Sequence, residues 1–195
     1  MDIKNGLKYV ARWILITAVI SIPIGAASAF FLHTLNYVTL LRENNLWIIV
    51  CLPLCGYLIS WAYDRYGQSF VSGNNLLLET IYDPNKGRIS IIKAVFIYLS
   101  TILTHLFGGS AGREGTALQM SGSIADQFTS ILKINRIERR ILHVAAIAAG
   151  FGSVFGTPFA GAIFALEILY RGKLAYKYII PALLAAYFAH IVSHL

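Results

Sequence analysis

The 195 residues are 57% hydrophobic and only 13% charged, whereas a soluble domain carries about 25% charged residues. This composition indicates an integral membrane protein and excludes a soluble globular domain. The net charge of +7 does not indicate nucleic-acid binding, because the basic residues are few and are split among short loops, as in the cytoplasmic flanks of membrane helices.

The chain begins with a basic flank followed by an apolar segment. The segment Trp13–Leu32 is long enough to cross a bilayer. We interpret it as a retained first helix rather than a cleaved signal, with the N-terminus in the cytoplasm. A polar loop over residues 42–45 is predicted to lead to a second helix, Leu46–Tyr63, in which Cys51 and Cys55 share one face and pack without forming a disulfide.

Several later apolar segments are too short or too interrupted to cross a membrane. Residues 76–82 follow Ser72-Gly73-Asn74-Asn75, a pattern that predicts a half helix with N-cap residues at its start. The predicted helix Ile91–Phe107 precedes a glycine-rich loop, Gly108–Gly115, and a further helix, Thr116–Leu132. Broken helices of this kind indicate a binding site near the membrane midplane of a transporter.

The C-terminal part continues the same pattern. Residues 133–140 are predicted to form a basic cytoplasmic linker, and Ile141–Phe155 is rich in small residues that favour close helix packing. Gly156-Thr157-Pro158 is predicted to break this helix before Phe159–Tyr170, and Ile179–Leu195 is a last apolar segment. The predicted fold is therefore an all-α polytopic membrane domain, residues 1–195, with broken and re-entrant helices.

Two half-helix starts are candidates for an anion site. Gly73-Asn74-Asn75 and Gly112-Arg113-Glu114-Gly115-Thr116 would both present backbone N–H groups, which bind anions at helix N-termini. Glu114 could occupy the place of an anion and withdraw when protonated, so it is a candidate gate and proton carrier. The alternative is that Arg113 and Glu114 form an ion pair that only orders the loop; Arg113 is in either case more suited to orienting the loop than to binding the ion.

Glu167 is a second acid in an apolar setting. It is either a second proton site or an interfacial acid paired with Arg171, four residues further along a helix. We expect no metal or other cofactor, because no metal-ligand spacing is present.

An enzymatic alternative comes from the spacing Gly108-x-Ser110-x-Gly112, which matches a serine nucleophile pattern. An intramembrane protease would pair Ser110 with a histidine, such as His105, His143 or His190. The pattern requires a strand, a turn and a helix, and no strand is predicted here, so we expect a protein that is not an enzyme.

Three blocks of the sequence resemble the CLC family of chloride channels and proton-coupled anion antiporters. Residues 112–116, with Gln119 and Gly122, resemble the family's Gly-Arg-Glu-Gly-Pro segment. Residues 148–161 resemble its run of small residues ending in Asn-Ala-Pro-Leu-Ala-Gly, and residues 163–167 match its Phe-x-x-Glu ending. The resemblance implies that Glu114 is the gating glutamate of a voltage-gated chloride channel family member.

The departures from the family pattern narrow the expected chemistry. Asn74 replaces the serine that faces the central anion, which is similar to the fluoride-exporting branch that exchanges fluoride for protons. Thr116 replaces the proline after the gating motif. Ile168 replaces the second acid of the Glu-Glu pair of chloride/proton exchangers, which leaves a channel or a fluoride/proton antiporter.

Family members contain two inverted repeats, and this chain resembles the N-terminal repeat alone. The resemblance implies transport of chloride or fluoride with protons across the plasma membrane by one half of a pathway. The other half would be a complementary C-terminal half or a copy in the opposite orientation, and the resemblance also implies a homodimer. The alternative is a non-conducting remnant or assembly partner of a split CLC protein.

Overall fold

The computed structural model describes residues 3–67, 73–83, 87–168 and 175–195, and all regular structure within them is helical. The α-helices, in chain order, are α1 Ile3–Asn44, α2 Leu52–Tyr66, α3 Asn74–Tyr82, α4 Ile91–Leu106, α5 Arg113–Ile131, α6 Arg136–Phe155, α7 Pro158–Glu167 and α8 Ile179–Ser193. Two 3₁₀ segments, Leu46–Cys51 and Tyr176–Tyr178, precede α2 and α8. The all-α prediction is confirmed.

Three helical stretches are long and apolar enough to cross a membrane: Lys8–Asn44, Leu46–Tyr66 and Tyr176–Ser193. The helices α4 and α7 are apolar but shorter, and α3 has only nine residues. The predicted mixture of spanning and broken helices is therefore confirmed for a polytopic membrane protein.

The first helix is longer than predicted. It contains 42 residues and continues through Pro23, so the predicted loop at residues 42–45 is wrong except for its last residue. A helix of this length extends about 63 Å, well beyond a hydrocarbon core of about 30 Å. Its polar ends stay helical because a helix does not need apolar side chains outside the membrane, and apolarity alone therefore underestimates its length.

Two further boundaries differ from the prediction, and both change where charged residues lie. The helix α5 begins at Arg113 rather than at Thr116, so Glu114 belongs to the first helical turn and not to the loop. The predicted basic linker is also wrong over residues 136–140, which are the start of α6. This helix begins early because Asn135 and Glu138 form a capping box that satisfies the first N–H groups.

The small-residue helix α6 lies at the centre of the bundle, packed against α1, α5, α7 and α8. Its segment Val144–Ala149 is almost completely buried, as the predicted close packing requires. Hydroxyl groups join α1 to α8 and to α6: Ser21 Oγ donates to the Ala185 carbonyl oxygen at 3.0 Å, and Ser153 Oγ donates to Ser28 Oγ at 2.8 Å. Both bonds tie α1 to its neighbours.

One end of the bundle is held by a buried charge network around Asp126 of α5. Its carboxylate accepts two hydrogen bonds of 2.8 Å from the Arg139 guanidinium and one of 2.7 Å from the Ile89 backbone N–H. His143 Nε2 lies 3.1 Å from the same carboxylate. The network joins α5, α6 and the start of α4, and we call it the Asp126 network.

The neighbouring Arg140 fixes the end of the short helix α3. Its guanidinium donates hydrogen bonds of 2.7 Å and 2.9 Å to the carbonyl oxygens of Ile81 and Tyr82. The last carbonyl groups of a helix lack intrahelical partners, and a basic side chain there both satisfies them and favours the helix dipole. Arg140 therefore anchors α3 to α6, and Arg12 anchors α1 to Glu138 of α6 at 2.7 Å.

Candidate functional site

The starts of α3 and α5 lie at the same cavity. This cavity has a volume of about 280 Å³, and we call it the half-helix cavity. Its lining residues are Tyr63, Gly73, Ile97, Ser100, Thr101, Thr104, Ala111, Gly112, Gly115, Thr116 and Gln119. The structure therefore brings the two predicted half-helix starts together across one space.

Neither of these two helix starts is capped by a side chain. The N-cap residues are Gly73 for α3 and Gly112 for α5, and neither start has a side-chain cap hydrogen bond. Gly73 has φ 54° and ψ −130°, a conformation that requires glycine. In contrast, Ser90 caps α4 and Asn135 caps α6. The first N–H groups of α3 and α5 thus lack the side-chain acceptors that those two starts have.

The α4 side of the half-helix cavity is lined with hydroxyl groups. Thr101 Oγ1 lies 2.7 Å from Thr116 Oγ1, which also donates to the Gly112 carbonyl oxygen at 3.3 Å. Gln119 Oε1 is enclosed and has no hydrogen-bond partner among the described residues. Each serine and threonine hydroxyl of the wall already donates its hydrogen within the protein, so the wall offers the amide group of Gln119 beside the backbone N–H groups.

A buried lysine stands behind the start of α3. Lys93 is only 1% exposed, and its Nζ donates a hydrogen bond of 2.9 Å to the Gly73 carbonyl oxygen. Charged side chains inside membrane helices are costly and usually functional. Here the ammonium group holds the Gly73 backbone in place and adds positive potential next to the half-helix cavity.

The predicted gate residues do not line the half-helix cavity. Arg113 and Glu114 are both exposed in the first turn of α5. Among the described residues no ion pair joins them, so the alternative in which this pair orders the loop finds no support. Arg113 instead lines a second cavity together with Arg42.

Other predicted site residues lie apart from the half-helix cavity or outside the described residues. Asn75 is exposed and does not line the cavity, and the side chain of Asn74 lies outside the described part of the structure. Glu167 is the exposed last residue of α7 and lines neither cavity. Its proposed partner Arg171 and the N-cap candidate Ser72 also lie outside the described residues.

The protease alternative lacks its required framework. Ser110 is exposed in a loop between two helices, α4 and α5, where a nucleophile elbow needs a strand before the turn. His143 is fully buried beside Asp126, and His105 Nδ1 lies 2.9 Å from the Thr101 carbonyl oxygen. Neither histidine is hydrogen-bonded to Ser110 in the described residues.

Sequence reasoning missed two groups of the site. Lys93 is the only charged residue between Ile91 and Leu106, and a lone charge inside an apolar helix is a signal that could have identified it. Thr101 carried no such signal, because threonine is common in membrane helices and only the fold places it opposite Thr116.

Helices long and apolar enough to cross a membrane, together with a cavity at which two further helix starts meet, define a polytopic membrane protein. Comparison with known proteins identifies the family. Residues 54–195 match the family described as voltage gated chloride channel. The chain belongs to this family, the CLC family.

Three relatives illustrate the similarity. The chain is 42% identical over 187 residues to a "Chloride/fluoride channel protein" of Pseudomonas syringae pv. tomato, covering 96% of this chain and 41% of the relative. It is 28% identical over 142 residues to a "Voltage-gated ClC-type chloride channel ClcB" of Yersinia pseudotuberculosis, covering 73% of this chain and 34% of the relative. The crystal structure of a CLC-type fluoride/proton antiporter superposes with a TM-score of 0.84 at 36% identity, covering 93% of this chain and 46% of that chain. The chain thus spans less than half the length of these relatives.

Proposed function

We propose that the chain is one half of a CLC-type transport protein that moves a small inorganic anion, chloride or fluoride, across the plasma membrane. The observation that supports this is the meeting of two uncapped helix starts at the half-helix cavity. Backbone N–H groups there would replace part of the hydration shell of an anion. The proposed anion-binding residues are Gly73, Asn74, Asn75, Gly112, Arg113, Gly115 and Thr116.

Glu114 is the proposed gate. A carboxylate in the first turn of a helix is favoured by the helix dipole, so it competes with an anion for the same N–H groups. Protonation removes its charge and releases it from this position, which couples anion passage to protons. Its exposure, without an ion-pair partner in the described residues, supports a side chain that is free to move.

Fluoride/proton antiport is the favoured form of this activity. Asn74 stands where chloride-transporting members have a serine, and the relatives named above include a chloride/fluoride channel protein and a fluoride/proton antiporter. Glu167 is proposed as a second proton site, because it is the next acid along the chain after the Asp126 network and Glu138 and lies at the end of an apolar helix.

The proposed assembly follows from the exposure of the site. Gly112, Arg113 and Glu114 are exposed on the surface of the described residues, so another surface must enclose the pathway. We assign this role to a complementary C-terminal half or to a second copy of the chain in the opposite orientation, with residues 1–195 as a single transmembrane domain. The Arg12–Glu138 pair brings the basic first part of α1 beside the basic start of α6, which supports a cytoplasmic N-terminus.

A second candidate function is an assembly partner without a pathway of its own. The same exposure of Glu114 favours it, because an unenclosed gate cannot separate two solutions. The two candidates differ in whether any assembly containing this chain carries anions.

The discriminating experiment is anion efflux from liposomes, with fluoride and chloride compared side by side. The chain is reconstituted alone and also as the assembly isolated from its own membrane. The transport proposal predicts efflux of fluoride, with proton movement in the opposite direction, from the assembly. Absence of efflux of either anion from both preparations would favour the non-conducting role.

A further inference from the structure

A second cavity, of about 290 Å³, lies at the end of α1 and beside the start of α5. Arg42, His105 and Arg113 line it, together with the polar side chains of Asn36 and Thr39. We call it the arginine cavity. We propose that it binds a hydrated halide ion and forms a loading site for the half-helix cavity.

The charge around the arginine cavity is positive and only weakly compensated. None of its lining residues is acidic. The nearest acid in an ion pair is Glu43, whose Oε1 lies 3.9 Å from Arg42 Nη2 and whose side chain is 59% exposed. An exposed ion pair at this distance neutralises little of the arginine charge. The guanidinium groups of Arg42 and Arg113 therefore remain available to an anion.

Arg42 is held in a fixed position. Its Nη1 donates a hydrogen bond of 2.9 Å to the His105 carbonyl oxygen at the end of α4, and its side chain is 22% exposed. The bond uses one of five N–H groups of the guanidinium. The remaining donors can contact a ligand, and the side-chain entropy lost on binding is small because the group is already ordered.

The composition of the cavity favours a small monovalent anion with water. Leu32 and Leu35 form part of its wall, so the lining is not uniformly polar. Arg42 already donates to a carbonyl group, which limits the paired donation that carboxylate and phosphate groups favour. The volume exceeds that of a bare halide ion, and the ion would therefore keep part of its hydration shell.

The position of the arginine cavity connects it to the proposed pathway. Gly112 lines the half-helix cavity, and Arg113, the next residue, lines the arginine cavity. The two cavities therefore meet at the start of α5, in the same helical turn as the proposed gate Glu114. This inference rests on the proposed function for its role in loading, while the binding itself can be measured without transport.

The test is the linewidth of the chloride-35 NMR signal of sodium chloride, which broadens when chloride exchanges with a protein site. The full chain in detergent is compared with Arg42→Gln, Arg113→Gln and the double variant. Arg136→Gln is the matched control, because it removes the same charge from an exposed position at the first turn of α6. Sodium fluoride is added as a competitor, and each variant is checked for an unchanged elution volume and unfolding temperature.

We expect the double variant to lose more than half of the protein-dependent broadening and each single variant to lose part of it. Arg136→Gln should retain the value of the unchanged chain. Arg113→Gln alone tests the proposal if Arg42→Gln fails to fold, because Arg113 is exposed. The proposed site would be overturned if a folded Arg113→Gln variant or the folded double variant kept the full broadening of the unchanged chain. It would also be overturned if Arg136→Gln lost as much broadening as the double variant. Arginine-dependent broadening in an assembly that does not transport would overturn the proposed function and leave the site in place.

Discussion

The two ends of α5 carry charged residues in opposite circumstances. Near its C-terminal end, Asp126 is fully buried and is bound by Arg139, by the Ile89 N–H and by the neighbouring His143. At its N-terminal end, Glu114 is exposed, without an ion-pair partner among the described residues. The first arrangement joins three segments of the chain, and the second leaves a charge exposed in the first turn of a helix.

The same contrast holds for the helix starts. Ser90 and Asn135 cap the helices that build the bundle, whereas Gly73 and Gly112 leave the starts of α3 and α5 open at the half-helix cavity. The starts of α2, α7 and α8 also lack a side-chain cap, so a missing cap alone does not mark a site. The starts of α3 and α5 differ from these because both lie at the half-helix cavity, where a bound ion would supply the missing acceptor.

The largest expected effect is on the scaffold. Asp126→Asn removes the charge that compensates Arg139, and breaking a buried pair costs about 3–5 kcal/mol. We expect a large fall in the unfolding temperature, which is measured in detergent by tryptophan fluorescence. Glu43→Gln, which removes an exposed pair, is the matched control and should change stability by less than about 1 kcal/mol. Equal effects of the two variants would remove the distinction between scaffold and site charges.

A smaller effect is expected where α3 packs on α5. A Cβ added at Gly122 would lie 2.5 Å from Leu77 Cδ1, and Leu77 is 2% exposed. Gly122→Ala should therefore displace α3 and destabilise the chain by about 1–3 kcal/mol, with reduced anion efflux. Gly56→Ala meets nothing within 4 Å and should stabilise α2 by up to about 1 kcal/mol. Unchanged efflux in a folded Gly122→Ala variant would show that the position of α3 does not matter for transport.

The third prediction concerns selectivity at the start of α3. Asn74→Ser restores the serine of chloride-transporting family members, and we expect the fluoride/chloride efflux ratio to fall several-fold. Asn75→Ser makes the same substitution at the next proposed anion-binding residue, and we expect a smaller effect there, because Asn75 is exposed and does not line the half-helix cavity. Equal ratios in the unchanged chain and in Asn74→Ser would exclude Asn74 from the anion site.

The smallest effect is expected at Ser110. Its hydroxyl is exposed in the loop before α5 and lines neither cavity. Ser110→Ala should therefore leave the efflux rate unchanged and alter the free energy of unfolding by less than about 0.5 kcal/mol. The measurement is the same liposome assay, with a casein-type substrate added to detect proteolysis. Proteolytic activity that disappears in Ser110→Ala would support the hydrolase pattern instead.

The fold class and the two half-helix starts could be predicted from the sequence, because apolar length and glycine-rich interruptions are local signals. The start of α5 at Arg113 could not. The start of α6 at Arg136 has a local signal, the capping-box residues Asn135 and Glu138, which the prediction of a basic linker leaves unused. The local pattern places charged residues in loops. Glu114, however, lies in the first turn of α5, where the helix dipole favours a carboxylate. Arg139 lies inside α6, where it pairs with Asp126. Pairing across helices depends on tertiary packing and leaves no signal at either position alone.

The candidate site shows the same limit. The motif identified Gly112 and Glu114, but the wall formed by Thr101 and the support from Lys93 depend on how α4 crosses α5. The arginine cavity joins Arg42 and Arg113, which are remote in sequence and meet only because α1 is longer than its apolar segment.

The most direct test of the central claim is the pH dependence of fluoride efflux in Glu114→Gln, with Glu43→Gln as the matched control. The assembly isolated from its own membrane is reconstituted in liposomes, and efflux is followed with a fluoride electrode across a range of external pH. We expect the variant to keep or increase fluoride passage and to lose its pH dependence and proton movement, while Glu43→Gln behaves like the unchanged chain. Fluoride efflux in Glu114→Gln that kept the pH dependence of the unchanged chain would contradict the assignment of Glu114 as the gate.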